Sequence, residues 1–271
     1  MTDLAGRRWR LVRDRAADGA TQMAAEVAVA ETAGAGGRRT VRTYTWCPST
    51  VSLGYRTDVT AIDREFCREH GIDVIRRQTG GGAIYHDSHA DISYTIVVPA
   101  DEVPGDLMES YRLLCEPILT AFDRLGVDAG FAATERPSIH EPSCYLRGVH
   151  PAHDVVADGK KIAGNAQYRP KDAVIQHGSL SFALEPERHL GVFADHDVDV
   201  ERFRERVTGI AELVDVDRET AVEAIEGALA DWVDAEVGEL TDEERDRTER
   251  IAAEKFDTGA WTDRREGPET V

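Results

Sequence analysis

The spacing of apolar and polar positions changes character along this chain. Trp9-Arg10-Leu11-Val12 alternates enough to predict a first strand. Thr21 then opens a helix as its cap and carries it to Glu31, with Met23, Val27 and Ala30 on one face. Val41–Trp46 and Thr50–Tyr55 read as strands. Asp58–His70 reads as a helix with Ile62, Phe66 and Cys67 inward and Gly71 at its end. Asp73-Val74-Ile75 leads into a glycine-rich loop, and Asp91–Val98 beyond it is a strand. Asp106–Leu125 places Met108, Tyr111, Leu114, Ile118, Phe122 and Leu125 at helical spacing. Pro117 predicts a kink or a break in that helix, and Gly126 its stop. Asp128–Tyr145, with Pro137 and Pro142, reads as irregular. His153–Ala163 reads as a hairpin turning at Asp158-Gly159, and Val174–Leu184 as a further strand region.

From about Val198 the texture is charged, helix-prone and poor in glycine, with helices over 200–207, 217–233 and 241–256. Thr241-Asp242-Glu243-Glu244 is a strong helix start, because the Thr hydroxyl accepts backbone N–H bonds and the acids suit the dipole. Strands dominate the first part and helices the last, so the fold class is α+β. The expected organisation is a sheet domain over 1–195, a helical appendage over 196–262 packed on it, and a disordered tail over 263–271. No internal repeat is present.

Composition narrows the function. Lysine plus arginine number 32 against 51 aspartate plus glutamate, a net charge of −19, which repels nucleic acid. Lysine occurs only at Lys160, Lys161, Lys171 and Lys255. An acidic, lysine-poor surface suits high internal salt, where like charges are screened. A hydrophobic content of 41% supports a real core. No apolar run is long enough for a transmembrane helix, and Met1–Arg8 lacks a secretory core, so a cytoplasmic protein without membrane association is expected. Cys47, Cys67, Cys115 and Cys144 show no Cys-x-x-Cys spacing, which argues against a zinc or redox motif. Cys67 and Cys115 sit in helical patterns as core residues, and Cys144 sits in a loop.

The candidate chemistry lies in two stretches. The first is Arg76-Arg77-Gln78-Thr79-Gly80-Gly81-Gly82-Ala83-Ile84-Tyr85-His86-Asp87. Three glycines let the backbone turn sharply and approach a ligand, and arginine forks suit carboxylate or phosphate oxygens. A Walker A loop would need Gly-Lys-Ser/Thr after the glycines, and a dinucleotide loop would open a helix rather than a strand. A plain hairpin turn with surface arginines is the alternative. The second stretch is Asp158-Gly159-Lys160-Lys161-Ile162-Ala163-Gly164-Asn165-Ala166-Gln167. Strand alternation gives Lys161, Ala163 and Asn165 one face and Lys160 the other, and the small neighbours leave room for a ligand. A surface hairpin with two lysines is the alternative there.

Together these motifs resemble the lipoate–protein ligase and octanoyltransferase family. Trp46-x-Pro48, Val51-Ser52-Leu53-Gly54-Tyr55, Gln176-His177-Gly178-Ser179-Leu180 and Ala253-Glu254-Lys255-Phe256-x-Thr258-x-x-Trp261 also resemble it, so the likeness runs over about residues 8–262. The resemblance implies the biotin/lipoate ligase fold, a mixed sheet flanked by helices. It implies that Arg76, Arg77, Thr79, Gly80, Gly81, Gly82, Ala83, Tyr85, His86, Gly164, Ala166, His177 and Gly178 bind the acyl substrate. It also implies that Lys161 serves the acyl carbonyl.

Family members run different chemistry. Ligases activate free lipoate with ATP and magnesium, whereas octanoyltransferases take an acyl group from a carrier protein and need no cofactor. In some branches a cysteine shortly before the lysine motif forms a thioester. Cys144, in Pro142-Ser143-Cys144-Tyr145, occupies that loop. A thiol beside an ammonium favours the nucleophilic thiolate. Gly80-Gly81-Gly82-Ala83 has the ligase form of the loop, and His153-Asp154-Val155 is similar to a ligase motif whose acid, here Asp154, helps hold magnesium and phosphate. Full ligases carry a further small domain, as an added segment or a separate accessory subunit, and this chain stops before it. The implied acceptors are lipoyl domains of 2-oxoacid dehydrogenase complexes or the glycine cleavage H protein. The favoured reading is a cysteine octanoyltransferase, with an ATP-dependent ligase as the alternative. Two other classes are weighed against it: a metal site from Asp87, His89 and Asp91, and a non-catalytic acyl-binding protein.

Overall fold

The computed structural model describes residues 4–150 and 154–267. His153 of the expected hairpin and the end of the expected tail lie outside the described residues. In chain order the strands are β1 (Trp9–Val12), β2 (Ala16–Ala17), β3 (Arg39–Trp46), β4 (Thr50–Leu53), β5 (Asp73–Arg76), β6 (Ile84–His86), β7 (Asp91–Pro99), β8 (Ala129–Phe131), β9 (Asp154–Ala157), β10 (Lys160–Tyr168), β11 (Ala173–Ser181) and β12 (Glu236–Val237). The helices are α1 (Gly19–Gly34), α2 (Arg64–Glu69), α3 (Leu107–Arg124), α4 (Pro186–Gly191), α5 (Val200–Arg204), α6 (Ile210–Leu213), α7 (Arg218–Val233), α8 (Asp242–Ile251) and α9 (Gly259–Arg264). A π-helical turn, Ala252–Phe256, joins the last two.

Among the described residues the strands form two sheets. The large one has the order β12-β1-β3-β7-β11-β10-β9-β8, with β2 alongside β3; the small one is β5-β4-β6. β1 runs parallel to β3 and β12, and the run from β3 to β8 is antiparallel. The class is α+β, a mixed sheet flanked by helices, as the sequence predicts.

Alternation along β7 assigns the two faces of the large sheet. Ile92, Tyr94, Ile96 and Val98 pack with Leu114, Ile118 and Phe122 of α3 and with Ile225 and Leu229 of α7. Ser93 and Thr95 face the other way, toward Trp46 and toward Glu26 of α1. Helix α1 lies on β3, β7 and β11 on that second face and is covered outside by α8. It is therefore buried almost all round, which its run of alanines permits.

Several local expectations change. The cap of α1 is Asp18, whose carboxylate accepts from the Thr21 N–H, so the helix starts earlier than Thr21. Asp58–His70 splits into a 3-10 turn and α2, because Ile62 takes an extended conformation and bridges to Phe193. Helix α3 runs unbroken through Pro117. The proline costs about 3 kcal/mol, whereas each fully buried Leu114, Ile118 or Phe122 returns roughly 1.5–3 kcal/mol. A short strand, β8, forms where irregular chain was expected, paired to β9.

Candidate active site

A cleft opens between the two sheets. The glycine loop forms one lip. Arg77 is buried and holds the loop from within, donating to Ser52 O (2.6 Å), Gly80 O (2.9 Å), Gly82 O (2.6 Å) and Thr79 Oγ1 (3.0 Å). Burial lowers its pKa, and the nearby Cys144 opposes that shift. Gly81 has φ +95°, and its carbonyl passes so close to Gly54 that a Cβ there would meet it at 2.0 Å. A Cβ on Gly82 would lie 2.6 Å from Pro142 O and 2.9 Å from Cys144 N. That close approach lets Ala83 N–H donate to Pro142 O (2.6 Å) and Cys144 N–H donate to Ala83 O (2.7 Å). The glycine loop and the cysteine loop are thus hydrogen-bonded together.

The C-terminal motif holds the loop from behind. Trp261 Nε1 donates to Arg76 O (2.7 Å), Arg76 Nε to Thr262 O (2.8 Å), and Lys255 Nζ to Gln78 Oε1 (3.2 Å). Lys255 lies over the Trp261 ring at 4.3 Å, and burial lowers its pKa to about 8.

The Asp158-Gly159 turn has φ of 48° and 72°, a geometry suited to a two-residue hairpin. The strand after it does not alternate simply. Lys161 pairs with Val156 and Ala163 with Val155, so β10 carries a bulge between them. A bulge inserts one residue and reverses the parity of the strand beyond it. Lys161 faces the cleft, Ile162 and Ala163 both enter the core, and Gly164 and Ala166 return to the cleft. Asn165 accepts from the Tyr94 hydroxyl at 2.6 Å. Of the predicted shared face of Lys161, Ala163 and Asn165, Ala163 is turned into the core, while Lys161 and Asn165 both line the cleft. Lys161 is buried at 2% exposure; its Nζ lies 2.6 Å from Asp154 Oδ1 and donates to Cys144 O at 2.9 Å. A Cβ on Gly164 would sit 3.6 Å from Cys144 Sγ and 3.7 Å from Lys161 Nζ, so the two atoms converge over that glycine.

The floor is a chain of buried polar groups. His177 Nδ1 lies 3.1 Å from Glu26, and its Nε2 is 2.9 Å from Thr79 Oγ1. His86 Nε2 lies 2.9 Å from Ser52 Oγ, its Nδ1 is 3.1 Å from Asp91, and its ring stacks on Trp46 at 4.2 Å. Ser93 and Ser179 both donate to Asp91. Burial raises the Glu26 pKa, but His177, Thr95 and Arg42 together outweigh it, so the net shift is downward. Burial lowers the His86 pKa against the pull of Asp91, which favours the neutral ring.

Of the residues expected at the site, Cys144, Lys161, Arg77, Gly80, Gly81, His86, Gly164, Ala166, His177 and Gly178 line the cleft, and Asp154 joins them. Thr79 stands behind His177, and Gly82 is covered by the cysteine loop. Three others point elsewhere. Arg76 is buried against the carbonyls of Gly54, Tyr55, Thr57 and Thr262. Ala83, just before β6, and Tyr85 within it point into a separate apolar cluster. Met23, Tyr44, Trp46, Ser52, Ile84, Ser93, Arg147, Asn165 and Ser179 also line the cleft, beyond the residues expected there. Trp46, Ser52 and Ser179 lie inside the sequence motifs, so strand alternation across β3, β4 and β11 is the signal that points to them. Asp87, His89 and Asp91 do not converge: Asp87 accepts from the Tyr85 hydroxyl, His89 packs on Phe182, and Asp91 binds His86. No group of three or more His, Cys, Asp or Glu side chains suited to a metal ion occurs among the described residues.

Comparison with known proteins bears on the family and the fold. Residues 18–231 match the lipoyl protein ligase A/B catalytic domain. Octanoyltransferase LipM of Kyrpidia tusciae is 33% identical over 274 residues, 95% of this chain and 99% of that protein. Octanoyltransferase LipM of Geobacillus kaustophilus is 33% identical over 83% of this chain and 87% of its own length. Among solved structures, a bi-partite lipoate protein ligase from Thermoplasma acidophilum superposes with a TM-score of 0.80 at 22% identity, covering 98% of this chain and all of that one. The fold is thus shared with proteins whose sequences have largely diverged.

Proposed function

The chain belongs to the lipoyl protein ligase A/B catalytic domain family, and from that premise we propose that it is an octanoyltransferase of protein lipoylation working through a thioester on Cys144. The observation that carries the reading is the convergence of Cys144 Sγ and Lys161 Nζ over Gly164 in one cleft. The octanoyltransferase relatives, aligned over most of the chain, support the same reading.

The chemistry follows from the geometry. The Cys144 thiolate adds to the carbonyl carbon of an octanoyl thioester held by a carrier protein. The oxyanion that forms is met by the Lys161 ammonium, which stands beside Cys144. The donor thiolate leaves, takes up a proton, and octanoyl-Cys144 remains. The acceptor lysine amine then adds to that thioester. Cys144 leaves and recovers a proton from the amine, and an amide is formed. No cofactor is consumed, because the thioester arrives activated. The bi-partite ligase structure was studied with its E2 lipoyl domain, and a lipoyl domain is the acceptor class we assign here. The acidic, lysine-poor composition supports work in high salt.

The ligase alternative rests on Asp154 beside Lys161 and on the fold of the structural neighbours. Asp154 is the one carboxylate among the described cleft-lining residues, and its charge is balanced by Lys161. That donor set suits a neutral thioester better than a magnesium nucleotide. Intact mass after incubation with octanoyl-carrier protein separates the readings. Gain of one octanoyl group at Cys144 supports the transferase. No gain, together with ATP-dependent formation of an acyl-adenylate from free lipoate, overturns it.

A further inference from the structure

The cleft is polar at one end and apolar at the other. Cys144, Asp154 and Lys161 stand on its β9–β10 side, and Met23, Tyr44 and Trp46 close its β3 side. Two strands, β11 and β7, separate β10 from β3. The span is three strand spacings, about 14 Å. An extended octanoyl chain measures roughly 9 Å between its end carbons, from C–C bonds of about 1.5 Å. With a sulfur bond at one end and a methyl contact at the other, such a chain reaches the β3 wall.

The three wall residues differ in how they are held. Trp46 Nε1 donates to Ser93 Oγ (2.8 Å) and its ring stacks on His86. The Tyr44 hydroxyl donates to Glu26 (3.2 Å), and Arg42 lies 4.4 Å over its ring. Met23 is held by packing alone, within a cluster containing Ala20, Val27 and Ile75. An unbranched thioether fills irregular space and tolerates replacement. Tyr44 and Trp46 are therefore fixed, and the depth of the apolar end is set by the side chain at position 23.

We infer that Met23 is the specificity-determining residue for acyl length, matching the cleft to a medium straight chain of about eight carbons. The inference rests on the acyl-transfer reading of the same cleft. It is tested with hexanoyl, octanoyl, decanoyl and dodecanoyl thioesters, reading acyl-Cys144 by intact mass, and with the matching free fatty acids, reading binding by calorimetry. Met23→Ala shifts the preference toward decanoyl and dodecanoyl by about tenfold or more, and Met23→Phe shifts it toward hexanoyl, because each replacement moves the wall by about one or two carbons. Identical length preference in the wild type and in both variants overturns the inference. Fatty acid binding that follows Met23, with no acyl mass on Cys144 at any length, keeps the inference and overturns the thioester reading. No adduct and no fatty acid binding in the wild type overturns both.

Discussion

Lys161 and Asp154 form a buried ion pair, 2.6 Å from Nζ to Oδ1, with side chains only 2% and 3% exposed. The pair sits against Cys144, whose carbonyl accepts a second hydrogen bond from the same ammonium. Such a pair is costly to break from one side, because the remaining charge stays buried and uncompensated.

Lys161→Ala is therefore expected to act twice. Acyl transfer to a lipoyl domain falls to background, and stability drops by about 3–5 kcal/mol. Lys161→Met with Asp154→Asn restores much of the stability without restoring activity. Half-buried Lys160 provides the contrast, and Lys160→Ala leaves both properties nearly unchanged. Urea unfolding and a transfer assay check the set. Loss of transfer in the Lys160 variant instead would reverse the assignment of the two lysines.

The glycines of the loop are expected to differ sharply. A Cβ on Gly80 meets nothing within 4 Å, so Gly80→Ala is tolerated. A Cβ on Gly82 meets backbone of the cysteine loop at 2.6 Å and 2.9 Å. Gly82→Ala pushes Pro142–Cys144 away, breaks the Ala83–Cys144 hydrogen bonding, and lowers transfer by about 100-fold or more, as expected when a reacting atom moves by about 1 Å. Acyl-enzyme formation measured on both variants settles the order.

Cysteine labelling is expected to follow exposure and environment. Iodoacetamide modifies Cys47, which is exposed, and Cys144, which lines the cleft. Cys67 and Cys115 stay unlabelled; burial raises their thiols to about 11 and about 12. Octanoyl donor protects only the peptide containing Cys144. Cys144→Ser keeps the shape but not the ionisable thiol, so it loses most transfer activity. Full activity of that variant with ATP and free lipoate would sink the covalent mechanism.

Acid is expected to destabilise the fold through two buried imidazoles. Burial lowers the pKa of His86, and burial with the charge of His86 lowers that of His189 to about 3. Unfolded imidazoles protonate near pH 6.5, about their ordinary value. Between those values unfolding takes up protons, so their contribution is complete above about pH 6.5 and is lost as pH falls. For His189 the slope reaches about 1.4 kcal/mol per pH unit. Among the described residues His189 Nε2 has no hydrogen-bond partner, and the ring packs against Tyr85, Tyr145 and Phe203. His189→Phe is thus expected to flatten the acid limb of a Tm–pH profile.

The acidic surface is expected to need salt. With a net charge of −19, like charges repel at low ionic strength and are screened at molar salt. Tm therefore rises between low and molar salt. A flat response removes the high-salt reading and leaves the enzyme assignment untouched.

Much of this fold is decided locally and is readable in the chain. Three adjacent glycines state that backbone must turn and be approached closely, and the fold uses Gly82 for that purpose against Cys144. Asp158-Gly159 fixes the hairpin that delivers Lys161, since both residues take positive φ. Alternation along β7 divides core from cleft without further information. What tertiary structure alone decided depends on register and on partners distant in sequence. The bulge after Lys161 reverses strand parity, and it arises from the pairing with β9. Arg76 and Arg77 are neighbours of identical chemistry; strand geometry sends one toward α9 and the other into the glycine loop. Glu26 meets His177 only when α1 lies across β11, and Met23 lines the cleft only when β3, α1 and the small sheet close around it. Local propensity specifies a residue's conformation, whereas the packing of remote elements specifies which groups its side chain meets.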